Sequence, residues 1–272
     1  MKVAAIQMVS GTERDANLAQ ARQALAQAAA QGAELAVLPE YFCLLGQRDT
    51  DKLAIQEVFG QGPIQTMLAQ SARELGLWVV GGTLPLTAPG QTQRVRNSCL
   101  VFNPDGACVA RYDKIHLFGF DNGHERYDES RVLQAGDTPA WFDLSARDGQ
   151  TWRVGLSICY DLRFPELYRQ LSQAGAQLLL VPSAFTHTTG QAHWEVLLRA
   201  RAIENLCWVL ASAQGGTHAN GRRTWGHSQC INPWGEVVAQ QATGEGLVLA
   251  ELDMAALLRW RSQLPALGQR SL

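Results

Sequence analysis

Cys159 opens the run Cys159-Tyr160-Asp161-Leu162-Arg163-Phe164-Pro165, directly after an apolar, strand-like stretch from Trp152 to Ile158. A thiol placed where a buried strand gives way to a polar turn, with a helix starting near Pro165, stands beside backbone N–H groups that a first helical turn leaves unpaired. Such a cysteine is a candidate nucleophile with an oxyanion site next to it. Two further residues complete a set. Glu40 follows the strand Leu35–Leu38 just after Pro39, and Lys114 follows the strand Cys108–Tyr112. In α/β folds the ligand crevice lies beyond the carboxyl ends of the strands, so side chains far apart in the chain can converge there. Their chemistries are complementary. A thiol with a pKa of about 8.5 is only a few per cent thiolate at neutral pH. A neighbouring carboxylate takes its proton and later returns it to a leaving amine, help worth roughly 10²–10⁴ in rate. A fixed ammonium, together with the Tyr160 backbone N–H, holds a tetrahedral oxyanion, and one such donor is worth about 3–4 kcal/mol. The set suits acyl transfer from an amide: thiolate attack, thioester, departure of the amine, then hydrolysis. Taken singly, each residue also has a plain alternative. Cys159 reads as a small core residue, Glu40 as a capping or surface carboxylate and Lys114 as a solvated lysine. Spacing alone does not decide.

The 272 residues are 46% hydrophobic and 18% charged, as in an ordinary soluble globular protein of one large domain or two modest ones. A formal net charge of −2 and the lack of a basic run give no reason to expect a nucleic-acid partner. No run of about 20 apolar residues is present, so no membrane partner is expected either. The first nine residues are too short and too polar at Gln7 for a signal peptide. The six cysteines form no CxxC pair and mostly lie in apolar runs, which fits a reducing, cytoplasmic setting. Of the 23 basic residues only Lys2, Lys52 and Lys114 are lysines. A chain so biased toward arginine that keeps a lysine at 114 hints at a pocket needing one compact ammonium.

The elements that must position these residues are written twice. Gly32-Ala33-Glu34-Leu35-Ala36-Val37-Leu38-Pro39 returns as Gly175-Ala176-Gln177-Leu178-Leu179-Leu180-Val181-Pro182, with Phe42 and Phe185 each three residues beyond. Leu77-Trp78-Val79-Val80 is echoed by Cys207-Trp208-Val209-Leu210, and Asn103-Pro104-Asp105-Gly106 by Asn232-Pro233-Trp234-Gly235. The opening strand from Lys2 resembles the one from Arg153 only loosely. Matches in the same order point to two similar halves, about 1–112 and 152–252, within one domain. Each half reads strand, helix, strand, helix, strand, then a hairpin. In the first, 15–31 is an alanine-rich helix stopped by Gly32, 34–38 a strand, 62–75 a helix and 77–84 a strand. This alternation predicts an α/β fold. Two equivalent sheets, each with helices on one face, give a four-layer α-β-β-α sandwich with two pseudo-symmetric halves. The segment 113–151 is expected to cross the mouth of the sandwich, outside both halves. The tail 253–272 begins with a helix over Met254–Trp260, and its end is left either loosely ordered or docked on a partner subunit.

Leu38-Pro39-Glu40, Tyr112-Asp113-Lys114-Ile115-His116-Leu117 and the stretch from Ser157 through Cys159 to Glu166 together resemble the nitrilase, or carbon–nitrogen hydrolase, superfamily. The likeness runs from Val3 to about residue 265. It implies the α-β-β-α fold, Glu40 as the base, Lys114 as the oxyanion-stabilising ammonium and Cys159 as the nucleophile, with no metal and no organic cofactor. It also implies a small-molecule amide as substrate and assembly into a homodimer or higher homo-oligomer. Many members carry a second glutamate, matched here by Glu129, with Glu125 as the weaker occupant of that role. Gly119 to Glu125 departs from the commoner family sequence. The stretch Thr189 to Glu204 and Trp225-Gly226-His227-Ser228 resemble the Nit branch. Gln214-Gly215-Gly216 adds a likeness to the deaminated glutathione amidases, and the ω-amidases acting on 2-oxoglutaramate are the alternative. A true nitrilase fits this branch less well.

Other candidates are weaker. Arg163 reads either as a fork for a substrate carboxylate or as a partner of Asp161 or Glu166 that holds the turn. Tyr160, Phe185, Thr186 and Thr189 are candidates for lining the substrate pocket, against the alternative of a plain surface loop. His187, His193 and Glu195 lack the spacing of a zinc site. Trp194, Leu197, Leu198 and Arg201 form a helical stripe that reads as core or subunit contact. Glu195 is a candidate to touch the active-site turn. The competing class of function is a catalytically silent sandwich that binds a metabolite or protein, which has no need of Glu40, Lys114 and Cys159 together.

Overall fold

Val3 and Ala5 leave the first strand on one side and Ala4 and Ile6 on the other, and all are buried. A strand covered on both faces belongs inside a layered α/β fold. The computed structural model, which describes residues 1–271, has that architecture. Leu272, the end of the expected tail, lies outside the described residues. The first part of the chain runs β1 (Lys2–Gln7), α1 (Arg14–Ala30), β2 (Leu35–Val37), α2 (Asp51–Ala54), α3 (Pro63–Leu75), β3 (Trp78–Val80), β4 (Leu84–Thr87), β5 (Val95–Phe102) and β6 (Cys108–Asp113). A hairpin follows, β7 (Gly119–Asp121) and β8 (Arg126–Asp128), then β9 (Trp141–Ser145), β10 (Thr151–Leu156), α4 (Pro165–Gln173), β11 (Leu178–Ser183) and α5 (His187–Asn205). The chain closes with β12 (Trp208–Ala213), β13 (Ser228–Ile231), β14 (Val237–Gln241), β15 (Gly246–Glu251) and α6 (Met254–Gln263).

One sheet has the order β15-β1-β2-β3-β5-β4, with β6 also on β5, and the other β14-β13-β12-β11-β10-β9. Helices α1 and α3 lie on the first sheet and α4 and α5 on the second. Period-two alternation sorts the strand residues between layers. Val3, Ala5, Leu35 and Val37 join the apolar cluster of the second sheet, whereas Ala4, Ile6, Ala36 and Leu38 join Leu25 of α1 and Leu68 of α3. The result is the α-β-β-α sandwich. The repeated turns match in detail. Asn103 and Asn232 each accept backbone N–H groups through Oδ1, and Gly106 and Gly235 each close the turn at positive φ, 79° and 85°. No helix of the described residues is long and apolar enough to cross a membrane.

Four expectations change. The strand expected at 77–84 is two pieces, because the chain turns at Gly81-Gly82 between β3 and β4. The segment 113–151 does not stand wholly apart: Trp141–Ser145 is an edge strand of the second sheet, antiparallel to β10. Conversely β15, expected in the second half, pairs antiparallel with β1 of the first sheet. Each sheet therefore borrows its outer strand from beyond its own expected half. Finally, α6 runs three residues past Trp260, and there the Arg261 guanidinium donates to the carbonyls of Leu206 at 2.9 Å and Ala176 at 2.7 Å.

Candidate active site

Glu40 leaves the end of β2 through Pro39 and is fixed by unusual backbone. Tyr41, next in the chain, has φ 56°, and its N–H donates to Thr83 Oγ1 at 2.8 Å. Gly82 passes directly beneath: a Cβ there would meet the Pro39 carbonyl oxygen at 2.0 Å, and its own φ is 48°. Only glycine allows that approach. Cys159 follows β10 and starts a single 3-10 turn, Cys159–Arg163, with φ 50° at the cysteine itself. A non-glycine residue in this region stores strain that the surroundings must hold, a recurrent feature of functional sites. Lys114 directly follows β6, and its N–H donates to the Asn97 carbonyl at 3.0 Å.

These elements bring the expected residues together. Lys114 Nζ donates to Glu40 Oε1 at 2.9 Å and to Glu129 at 3.0 and 2.8 Å. The Cys159 thiol and the Glu40 carboxyl line the same cleft. Glu40 is further held by Asn97 Nδ2 on Oε1 and the Ala184 N–H on Oε2, both at 2.9 Å. Glu129 accepts from the Tyr41 hydroxyl at 2.8 Å and the Phe118 N–H at 2.7 Å. Glu129, rather than Glu125, thus shares the lysine, while Glu125 accepts from the Thr188 hydroxyl at the surface.

Burial sets the protonation of the cluster. It pushes the Glu40 carboxyl above its ordinary range, with Lys114 opposing and Glu129 assisting. It also pushes the Cys159 thiol well above its ordinary range, and the Glu40 charge adds to this. Burial alone would lower Lys114, but Glu129 and Glu40 override it and hold the ammonium well above the usual lysine range. For Glu129 burial is outweighed by Lys114, so this carboxyl titrates low. The cluster therefore favours an ammonium at Lys114, an ionised Glu129 and a protonated thiol, beside a Glu40 carboxyl of raised basicity. A base of raised pKa is a better proton acceptor from that thiol.

Asp161 supplies a connection that spacing did not reveal. Its fully buried carboxylate accepts from the Tyr112 hydroxyl at 2.7 Å and the Ile158 N–H at 2.9 Å through Oδ2. Through Oδ1 it accepts from the His116 N–H at 3.0 Å and lies 2.7 Å from His116 Nδ1. One side chain thereby ties the cysteine turn to both flanks of Lys114. Arg163 pairs with neither Asp161 nor Glu166, contrary to one expectation. It sits 3.2 Å from His193 Nδ1 and lies over the rings of Tyr160 and Phe185. The turn is held instead by buried Arg201, which donates twice to the Leu162 carbonyl at 3.0 and 2.7 Å. Glu195 faces Arg199 at 3.7 Å on an exposed helix surface rather than the active-site turn.

A cleft of about 680 Å³ ends on Glu40, Glu129 and Cys159 and carries Lys52, Arg222 and Arg223 in its wall. An adjoining pocket of about 200 Å³ is lined by Cys159, Tyr160, Arg163, Phe185, Thr186 and Thr189, so all the candidate pocket residues meet there. Thr186 also caps α5, its hydroxyl lying 2.9 Å from that of Thr189. Sequence reading missed Tyr41, Asn97, Asp161 and the cleft cations. A signal existed for Asn97, a polar residue inside the apolar β5, and for Lys52, one of three lysines.

The family model for carbon–nitrogen hydrolases matches residues 2–262. The chain belongs to this carbon–nitrogen hydrolase family. It is 38% identical over 267 residues to the deaminated glutathione amidase of Yersinia enterocolitica, covering 97% of this chain and 91% of the relative. It is 37% identical over 271 residues to the omega-amidase NIT2 of Homo sapiens, covering 99% and 94%. Its fold superposes on Saccharomyces cerevisiae Nit3, described as a member of branch 10 of the nitrilase superfamily, with a TM-score of 0.87 at 30% identity, covering 100% of this chain and 97% of that one. The chain is accordingly a hydrolase of carbon–nitrogen bonds in amides.

Proposed function

We propose that this hydrolase cleaves the amide of deaminated glutathione, releasing 2-oxoglutarate and Cys-Gly through a thioester on Cys159. The observation that carries the chemistry is the bridging of Glu40 and Glu129 by Lys114 Nζ, at 2.8–3.0 Å, beside the Cys159 thiol. Glu40 accepts the thiol proton as sulfur attacks the amide carbonyl. The oxyanion forms against Lys114 Nζ and the Tyr160 N–H, donors each worth about 3–4 kcal/mol in such a site. Protonated Glu40 gives its proton to the departing amine, then takes one from the water that hydrolyses the thioester. Glu129, held by Tyr41 and Phe118, keeps Lys114 in place and faces the entering water.

Similarity to a deaminated glutathione amidase supports the substrate. Arg163, Thr186 and Thr189 in the smaller pocket fit the carboxylate end of a 2-oxoglutaryl group, since no acidic side chain lines that pocket. Near-equal similarity to an omega-amidase keeps 2-oxoglutaramate as the second reading. Association with a second copy through the outer face of α5 belongs to the same proposal, supported by exposed Val196, Ile203 and Trp234. A cytoplasmic setting is supported by the free cysteines among the described residues. The test compares kcat/KM for deaminated glutathione and 2-oxoglutaramate. A ratio favouring the former by tenfold or more is expected. The reverse ratio would assign the ω-amidase reaction, and inertness toward both would sink the proposal.

A further inference from the structure

Two cations in the wall of the cleft, Lys52 and Arg223, have no carboxylate partner among the described residues. Arg222 is paired with Asp49 at 2.7 Å and stacks over the Tyr127 ring. Lys52 lies over the Tyr41 ring, 4.6 Å from its centroid, and has no carboxylate ion-paired to it among the described residues. Arg223 is exposed, and its guanidinium has no hydrogen bond or ion pair among the described residues. Its backbone is nonetheless fixed: its carbonyl accepts from the His187 N–H at 3.1 Å, and it bridges to Thr217. Of the acids that share the lining, Asp49 holds Arg222, and Glu40 and Glu129 hold Lys114, while Asp128 accepts from the Ser130 N–H and hydroxyl. A cation with no carboxylate partner in the wall of a crevice keeps its donors available for an anionic group.

Position says which part of a substrate meets them. Glu40, which returns the proton to the leaving amine, lines this cleft and not the smaller pocket that holds Arg163. The amine therefore departs along the cleft wall. From the scissile nitrogen to the terminal carboxylate of a dipeptide is about 7 Å of extended chain, and Lys52 and Arg223 line the same cleft as Cys159 and Glu40. We propose that Lys52 and Arg223 form a subsite for a carboxylate at the far end of the leaving amine, making the protein selective for amides whose amine half is a carboxylate-bearing dipeptide. This rests on the thioester reading above and adds the half of the substrate that the acyl pocket cannot recognise. Ammonia, as a leaving group, makes no use of the subsite.

The experiment measures kcat/KM for deaminated glutathione and for the same molecule with its terminal carboxyl converted to a primary carboxamide, in wild type, Arg223→Gln and Lys52→Met. Wild type should favour the carboxylate by about tenfold or more, the size of a charge-assisted hydrogen bond. That preference should shrink several-fold in each variant, through KM more than kcat, and return in part in Arg223→Lys. In wild type alone, Cys-Gly should inhibit competitively about tenfold more tightly than Cys-Gly amide. Equal use of both substrates by wild type would overturn the subsite while leaving the amidase reading intact. A preference unchanged in both variants would remove Lys52 and Arg223 from it. Hydrolysis of neither compound would overturn both readings.

Discussion

Glu40 has to be ionised to take the Cys159 proton, and burial raises the pH at which that holds. Because its folded pKa lies above the ordinary value of 4.5, kcat/KM should be lost as pH falls through a midpoint above 4.5 and recover as pH rises. A pH–rate profile with its acid limb at or below 4.5 would contradict this. Lys114 is raised, so the stability it contributes is complete below its ordinary 10.5 and is lost only as pH climbs through the higher folded value. Replacing the base, Glu40→Gln, should lower kcat by about 10²–10⁴. Asp161→Ala should act differently. It strands the Tyr112 hydroxyl and Ile158 N–H in the interior, at about 1–3 kcal/mol for each buried group left unsatisfied. A fall in denaturant midpoint accompanied by a fall in kcat is expected, whereas an unchanged midpoint would mean the network is not structural. Glu40, Lys114 and Cys159 stood out as candidates because each follows a strand and carries a reactive group, and the family resemblance singled them out as a set. Asp161 did not, because its partners Tyr112 and His116 lie 49 and 45 residues away and only the folded turn brings them close.

Strand ends do the positioning, and their geometry depends on single backbone atoms. Gly82→Ala would put a Cβ where the Pro39 carbonyl now sits, on a residue already at positive φ. The loop carrying Glu40 must then move, and a shift of about 1 Å can cost 10²-fold in rate. Steady-state kinetics should show a kcat loss of that order even under conditions where circular dichroism reports a folded protein. Wild-type turnover in the alanine variant would show that the approach is incidental. Hydrophobic runs located β2, β10 and β11, because buried strands leave a clear apolar signature. The same signal merged β3 with β4, since a run through Gly81-Gly82 stays apolar while the backbone turns. Periodicity records which residues are buried, and it does not record where one segment passes under another.

At the scale of the whole molecule the repeated motifs suggested two similar halves, and the Asn103 and Asn232 turns carry matching hydrogen bonds. What the repeats could not show was where the outer strands go. β9 and β15 have no echo in the sequence: β9 joins β10 from the crossing segment, and β15 returns to β1 of the first sheet. That return of β15 stitches the halves together, and α6 after it holds the second half through Arg261. Arg261→Ala should lower stability by about 1–3 kcal/mol, measured by urea unfolding, with turnover per folded molecule unchanged because the residue lies outside the cleft. The chemistry itself is tested most directly at one sulfur. Enzyme quenched in acid during turnover of deaminated glutathione and digested should yield the Cys159 peptide with the added mass of a 2-oxoglutaryl group, and no such gain on the other cysteines. Consumption of the amide with Cys159 never modified, and with Cys159→Ala turning over as fast as wild type, would contradict it.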